Sequence, residues 1–185
     1  MMQRRFTLLL MAESKLKNER VISVLSFVIS FCILCYLVLG SFFQIGQPKG
    51  WDTPIYLYYA RYFDESGSFP NIGRPVIVLV IYVIYKAFMF LGTSELLFLA
   101  IAQVIILTFF ICSLYQLARV LTGNVHVASL SLILASLTPT VLRYQPLMSA
   151  AFSLALIFFA ISFFYDYERR REKPKALLGM AFLVM

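Results

Sequence analysis

The chain has 185 residues, of which 61% are hydrophobic and 14% are charged, and its mean hydropathy is +0.84. Charged residues make up nearer a quarter of a soluble domain, so this composition excludes an ordinary soluble protein and indicates a membrane protein. The net charge is +7, and the single histidine excludes a histidine-rich metal cluster in this part of the chain. The three cysteines lie in apolar stretches and are interpreted as membrane-helix residues rather than redox or metal ligands.

The first predicted element is a membrane span over Val21–Phe43, preceded by a basic flank over residues 1–20. A faint signal-peptide pattern over residues 1–12 is the weaker interpretation, because its apolar part is short. Basic residues flank spans on the cytoplasmic side, so we expect a multi-pass protein of the cell membrane with a cytoplasmic N-terminus. The basic residues of the flank are Arg4, Arg5, Lys15, Lys17 and Arg20.

A polar outer loop over residues 44–95 follows this span. Thr53 is predicted to cap a short helix that begins at Pro54 and runs to about Glu65. Tyrosine-rich faces favour the headgroup level of a membrane, so this helix is predicted to lie on the surface. The face that recurs at helical spacing comprises Ile55, Tyr58, Tyr59 and Tyr62, widened by Tyr56 and Phe63.

The next apolar segment, Pro75–Leu91, decides the topology of the rest of the chain. If it crosses, nine basic residues lie outside and six inside; if it lies along the outer surface, eleven lie inside and four outside. The positive-inside rule favours the second arrangement, as does Lys86 within the segment. Pro75–Leu91 is therefore predicted to be a second surface helix, ending at Gly92 as its C-cap. The spans predicted after it are Leu96–Leu117, Val125–Leu142 and Leu147–Tyr165.

The predicted fold class is an all-α membrane protein, a polytopic transmembrane helix bundle with two surface-associated helices in its first outer loop. Residues 21–185 form the N-terminal part of this helical domain. A further apolar stretch begins at Ala176, and ten residues cannot cross a hydrocarbon core about 30 Å thick. The sequence is therefore expected to be the N-terminal piece of a longer protein, truncated within its last span.

Three interpretations of Asp52, which directly precedes the first surface helix, stay open on the residues alone. It is a helix-capping aspartate, a general base for an acceptor attacking a lipid-linked donor, or a ligand of a metal that holds a phosphate-bearing donor. The cations of the same loop either hold a lipid phosphate or are attracted to headgroups in general. These cations are Lys49, Arg61, Arg74 and Lys86.

Several short motifs resemble the GT-C class of membrane glycosyltransferases, in the branch of protein O-mannosyltransferases and lipid A aminoarabinose transferases. GWDTPIYLYYAR (Gly50–Arg61) resembles their acidic first-loop motif, and Arg74-Pro75 stands where they often have a cation before proline. FLGTSE (Phe90–Glu95) resembles their Phe-Gly-x-Ser-Glu turn, and LASLTPTVLR (Leu134–Arg143) resembles the end of their third span.

The resemblance implies an inverting glycosyltransferase of the cell envelope, one that inverts the configuration at the anomeric carbon of the sugar. It would move the sugar from a polyprenyl-phosphate donor to an acceptor on the outer face of the membrane, as in protein glycosylation. Asp52 would be the catalytic acid or base, and the metal ligand if a divalent ion takes part. The chain departs from the pattern at Thr53, where a second acid is common, and over Tyr144–Ala150, which has no aspartate. The expected partners are the donor and the bilayer, with no nucleic acid. The expected substrate-binding residues are Arg61, Arg74, Lys86, Tyr56 and Tyr59.

The alternative is a non-enzymatic polytopic membrane protein such as a transporter, with the outer loop as a gate. The clear spans contain almost no ionisable residue, and Gln103 and Gln116 are the most polar groups within them. Ion paths through membranes are built from ionisable side chains, so the sequence favours the enzyme.

Overall fold

The computed structural model describes residues 2–46, 53–68, 75–92, 94–138 and 148–170, together with residues 178, 179, 181 and 182. No strand occurs among these residues, which confirms the predicted all-α class. The six helices that order the fold are α1 (Met2–Ile45), α2 (Thr53–Ser66), α3 (Pro75–Phe90), α4 (Glu95–Thr122), α5 (Val125–Leu137) and α6 (Met148–Arg170).

Three of these helices are long and apolar enough to cross a membrane: Glu13–Ile45 within α1, the whole of α4, and Ala150–Arg169 within α6. The 16 residues of α3 and the 13 of α5 extend only about 24 Å and 20 Å, short of a hydrocarbon core of about 30 Å. The helix predicted as a span over Val125–Leu142 therefore ends earlier than expected, at Leu137, and residues 139–147 lie outside the described part.

The ends of α4 follow from local sequence. Ser94 is its N-cap, with the side-chain oxygen accepting a hydrogen bond from the Leu97 N–H at 3.3 Å. Gly123 ends it in the left-handed conformation at φ +66°, a region open to glycine at little cost. Asn124 then caps α5 by accepting from the His126 N–H at 2.8 Å. This two-residue connection reverses the chain, so α4 and α5 pack as an antiparallel hairpin.

Side-chain pairs show that α1 and α4 also run antiparallel. The hydroxyls of Ser23 and Tyr115 are 2.7 Å apart, and one turn away Arg119 Nη2 lies 3.6 Å from Glu19 Oε2. Moving towards the N-terminus of α1 therefore means moving towards the C-terminus of α4. The segment between them starts and finishes at the same end of the bundle, as a surface position for α3 requires. That surface position itself stays a prediction.

Helix α6 runs parallel to α4 along its length. The ring of Phe109 packs 5.7 Å from that of Phe152 and 5.1 Å from that of Phe159, measured between centroids. Further along both helices, Arg119 and Arg169 line one cavity. We call the end of the bundle that carries Glu19, Arg119 and Arg169 the basic end, and the opposite end, with α2, α3 and the start of α4, the loop end.

Helix α4 is the centre of the bundle, with contacts to all five other helices. Its buried side chains run from Phe98 near the loop end to Ser113 in the second half of the helix. Helices α1 and α5 are in contact, and each buries small residues of the kind that allow close backbone packing in a membrane. These buried small residues are Ser26 and Ser30 of α1 and Ala128, Ser129 and Ser136 of α5.

Candidate functional site at the loop end

Helix α2 divides its aromatic residues between the core and the surface. Tyr56 is only 3% exposed and Ala60, one turn later, is fully buried, so this side of α2 packs into the bundle. The opposite side exposes Ile55, Tyr58 and Tyr62. Three of the residues predicted to form the face of α2 are therefore exposed. The expectation that Tyr56 widens this face is wrong, because its ring lies among core residues.

Tyr59 links the two sides of α2. Its ring stands edge-on to Tyr56 with centroids 6.4 Å apart, and lies 5.8 Å from Tyr58 on the exposed side. It is partly buried against the core. Of the two tyrosines expected to contact substrate, Tyr59 is thus the more accessible, and contact between Tyr56 and a substrate would need α2 to move.

Arg61 connects α2 to the first turn of α4. Its Nε donates to Glu95 Oε1 at 2.9 Å, and its Nη2 pairs with Glu95 Oε2, so the carboxylate is held by two parallel bonds. This bidentate geometry is the strong form of an arginine–carboxylate contact. The hydrogen bond that Arg61 donates to Glu95 raises the pKa of Arg61, and Tyr85 adds to the shift.

Lys86 connects α3 to the end of α2. Its Nζ lies 2.5 Å from Asp64 Oδ1, and the hydroxyl of Tyr82 donates to the same oxygen at 3.2 Å. The Lys86 hydrogen bond lowers the pKa of Asp64, with a smaller contribution from Tyr82, and Asp64 in turn raises the pKa of Lys86. The Tyr82 ring also packs edge-on against Phe63 at 4.8 Å, so α2 and α3 are joined by both charge and ring contacts.

Both predicted phosphate-binding cations of the described loop are thus in ion pairs, yet neither is enclosed. About half of each side chain is exposed, 48% for Arg61 and 50% for Lys86. An arginine has five N–H donors and a lysine ammonium has three. A contact with one carboxylate leaves some of these donors available in each case. Each can therefore contact a phosphate while its carboxylate partner stays in place.

The remaining predicted site residues, Asp52 and Arg74, lie outside the described residues. Each directly precedes a described helix in the chain, since α2 begins at Thr53 and α3 at Pro75. Within the described residues no group of three histidine, cysteine, aspartate or glutamate side chains is placed to hold a metal ion. A role for Asp52 as a metal ligand stays a prediction.

Asp64 and Glu95 are the residues that sequence reasoning missed. The sequence signal for them was weak: residues 44–95 contain four acids and four cations, with no indication of which acid meets which cation. Glu95 pairs with an arginine 34 positions earlier, and such a contact depends on how α2 docks on α4.

No family model, no curated protein and no solved structure matches this chain.

Proposed function

We propose that this protein is a membrane glycosyltransferase that moves a sugar from a polyprenyl-phosphate donor to an acceptor at the loop end of the bundle. The observation that carries the proposal is the arrangement around α2. This helix exposes the apolar and aromatic side chains of Ile55, Tyr58 and Tyr62. It also carries the half-exposed Arg61, and its Asp64 pairs with the half-exposed Lys86 of α3. A lipid-linked donor offers a prenyl chain and a phosphate, and these are the two chemistries that the surface supplies.

The exposed apolar side chains of α3 support a membrane-facing position for this surface. Leu79, Val83 and Phe90 are exposed, while Ile77, Val78 and Ile81 pack into the bundle. A helix that is apolar on both its buried and its exposed side is typical of contact with lipid rather than water. The prenyl chain of a donor would enter from that lipid.

In the proposed reaction Asp52 acts as the general base. The acceptor hydroxyl or amine attacks the anomeric carbon as its proton passes to the Asp52 carboxylate, the bond from that carbon to the phosphate oxygen breaks, and polyprenyl phosphate leaves. Arg61 and Lys86 would offset the negative charge that develops on the leaving phosphate. Attack opposite the leaving group inverts the configuration at the anomeric carbon.

The substitution Asp52→Asn tests this function. Asparagine caps helices about as well as aspartate, so a capping role predicts nearly unchanged transfer. A base or metal ligand cannot be replaced by a neutral amide, so we expect transfer from a polyprenyl-phosphate sugar to fall by about 10²- to 10⁴-fold with the helical content unchanged.

Glu65→Gln is the matched control, because it also removes one carboxylate from the same loop. Full transfer by Asp52→Asn together with loss in Glu65→Gln or Asp64→Asn would move the catalytic acid to the far end of α2. Full transfer by all three variants would refute the glycosyltransferase proposal and favour a transporter.

A further inference from the structure

A polar cavity lies at the basic end of the bundle, at the opposite end from the proposed glycosyltransferase site. Its volume is about 190 Å³, and it opens between the C-terminal turns of α4 and α6. These are two of the helices that are apolar enough to cross a membrane. The lining residues are Gln116, Arg119, Val120, Gly123, Asp166 and Arg169.

The guanidinium of Arg119 has donors in this region that the described residues leave unused. Its Nη1 is buried and has no hydrogen-bond partner there, and its Nη2 is 3.6 Å from Glu19 Oε2, beyond hydrogen-bond distance. Burying a charged donor without an acceptor is costly, so an acceptor from outside these residues fits this position. The cavity beside it provides the space.

The charge of the lining indicates what kind of acceptor fits. Arg119 and Arg169 contribute two guanidiniums, whose planar donors match the oxygens of a phosphate. Asp166 contributes one carboxylate to the same wall, and helix C-termini disfavour anions. Binding would therefore depend on the two arginines together, and an anion with several oxygens that bridges both is favoured over a single carboxylate.

We propose that this cavity binds a phosphate group, in the first instance that of an anionic phospholipid headgroup. Its position at the ends of two membrane-crossing candidates would bring it to headgroup depth. Tyr165, which is exposed and precedes the cavity-lining Asp166 in the chain, is a residue type that is enriched at that depth. The site is separate from the glycosyltransferase reaction, and its test does not depend on that reaction.

Native mass spectrometry with phosphatidylglycerol titrated into the purified protein tests the site. We expect Arg119→Gln and Arg169→Gln each to weaken binding of the first lipid by about 10- to 100-fold, the effect of losing a charge-assisted contact. Arg20→Gln is the matched control, because Arg20 is an exposed cation of α1 near the same end that does not line the cavity. General surface attraction accounts for only about a fivefold loss per cation.

Two further measurements separate the remaining explanations. Glu19→Gln removes the carboxylate that lies 3.6 Å from Arg119 Nη2, and it should leave lipid binding unchanged or stronger. A loss as large as that of Arg119→Gln would mean that Arg119 serves only to pair with Glu19, and would overturn the proposal. Equal weakening in the Arg20, Arg119 and Arg169 variants would also overturn it. A third outcome is that inorganic phosphate binds the wild type but not Arg119→Gln, while phosphatidylglycerol does not bind. That outcome would support the phosphate site, with a soluble anion as its ligand.

Discussion

The oxygen Oδ1 of Asp64 accepts contacts from both Lys86 and Tyr82, and it therefore gives the loop end a defined dependence on pH. The pKa of Asp64 is lowered, so its contribution to stability is present above the usual aspartate range and is lost as pH falls through the lowered value. The pKa of Lys86 is raised, so its contribution is present below the usual lysine range and is lost as pH rises through the raised value.

The variant Asp64→Asn tests this dependence, because the amide oxygen can still accept from Tyr82 while the charge is removed. We expect its melting temperature to lie below that of the wild type by a constant amount between about pH 5 and pH 9. The difference should begin to shrink as pH falls below about 4 or rises above about 10, and should vanish only beyond the lowered pKa of Asp64 or the raised pKa of Lys86. Glu65→Gln, at the neighbouring acid, should show no such pattern. A difference between wild type and Asp64→Asn that does not change with pH would rule out the ion pair as its cause.

At the level of single residues, the sequence predicted the types present in the site better than their partners. It indicated that Arg61 and Lys86 are cations available to a lipid phosphate, and the structure shows both side chains about half exposed. It did not indicate that each cation already has a carboxylate partner. Hydrogen bonds between two helices depend on how the helices are rotated relative to each other. The periodicity of one segment does not indicate how the next segment is rotated against it.

The helices themselves were predictable where a local signal marks an end. Proline starts α3 at Pro75 and glycine closes it at Gly92, whose φ is +70°. The start of α2 differs from prediction by one residue. The sequence did not predict that α1 continues from the span through the charged flank to Met2, because hydropathy reports the membrane segment and not the helix that contains it.

The turn between α4 and α5 provides a test at the level of an element. Gly123→Ala introduces a Cβ into open space, yet it forces a left-handed conformation on an L-residue, so we expect a cost of about 1–2 kcal/mol in unfolding free energy. Gly40→Ala is the control, since Gly40 is helical and also has open space around it. There alanine should stabilise by about 0.5–1 kcal/mol. Equal effects at both positions in detergent unfolding would contradict the conformational explanation.

For the whole molecule, the helix directions group the charges in the way that the positive-inside count assumed. Glu19, Arg119 and Arg169 meet at one end, while Arg61 and Lys86 lie at the other. That grouping supports a cytoplasmic basic end and an outer loop end. The structure alone carries no direction across a membrane, so the orientation stays a prediction.

Thiol labelling measures that orientation. In a variant without Cys32, Cys35 and Cys112, we expect Ser68→Cys at the loop end to react with a membrane-impermeant thiol reagent in intact cells. Thr122→Cys at the basic end should react only after the cells are permeabilised. Both positions are exposed, so access differs only by the side of the membrane. If Thr122→Cys reacts in intact cells and Ser68→Cys does not, the N-terminus lies outside. If both variants react in intact cells, the loop end and the basic end are not on opposite sides of the membrane.

Helix α1 is uninterrupted over a length greater than the thickness of a bilayer. Its 44 residues extend about 66 Å, whereas a bilayer with its headgroups is about 40–45 Å thick, so an α1 that crosses a membrane would extend some 20 Å beyond the lipid. No glycine or proline occurs between Met2 and Leu39 to act as a hinge. A torque applied to the N-terminal part of α1 would therefore rotate the helix as a rigid body rather than bend it locally. The rotation would reach Glu19 and Ser23, where α1 meets α4.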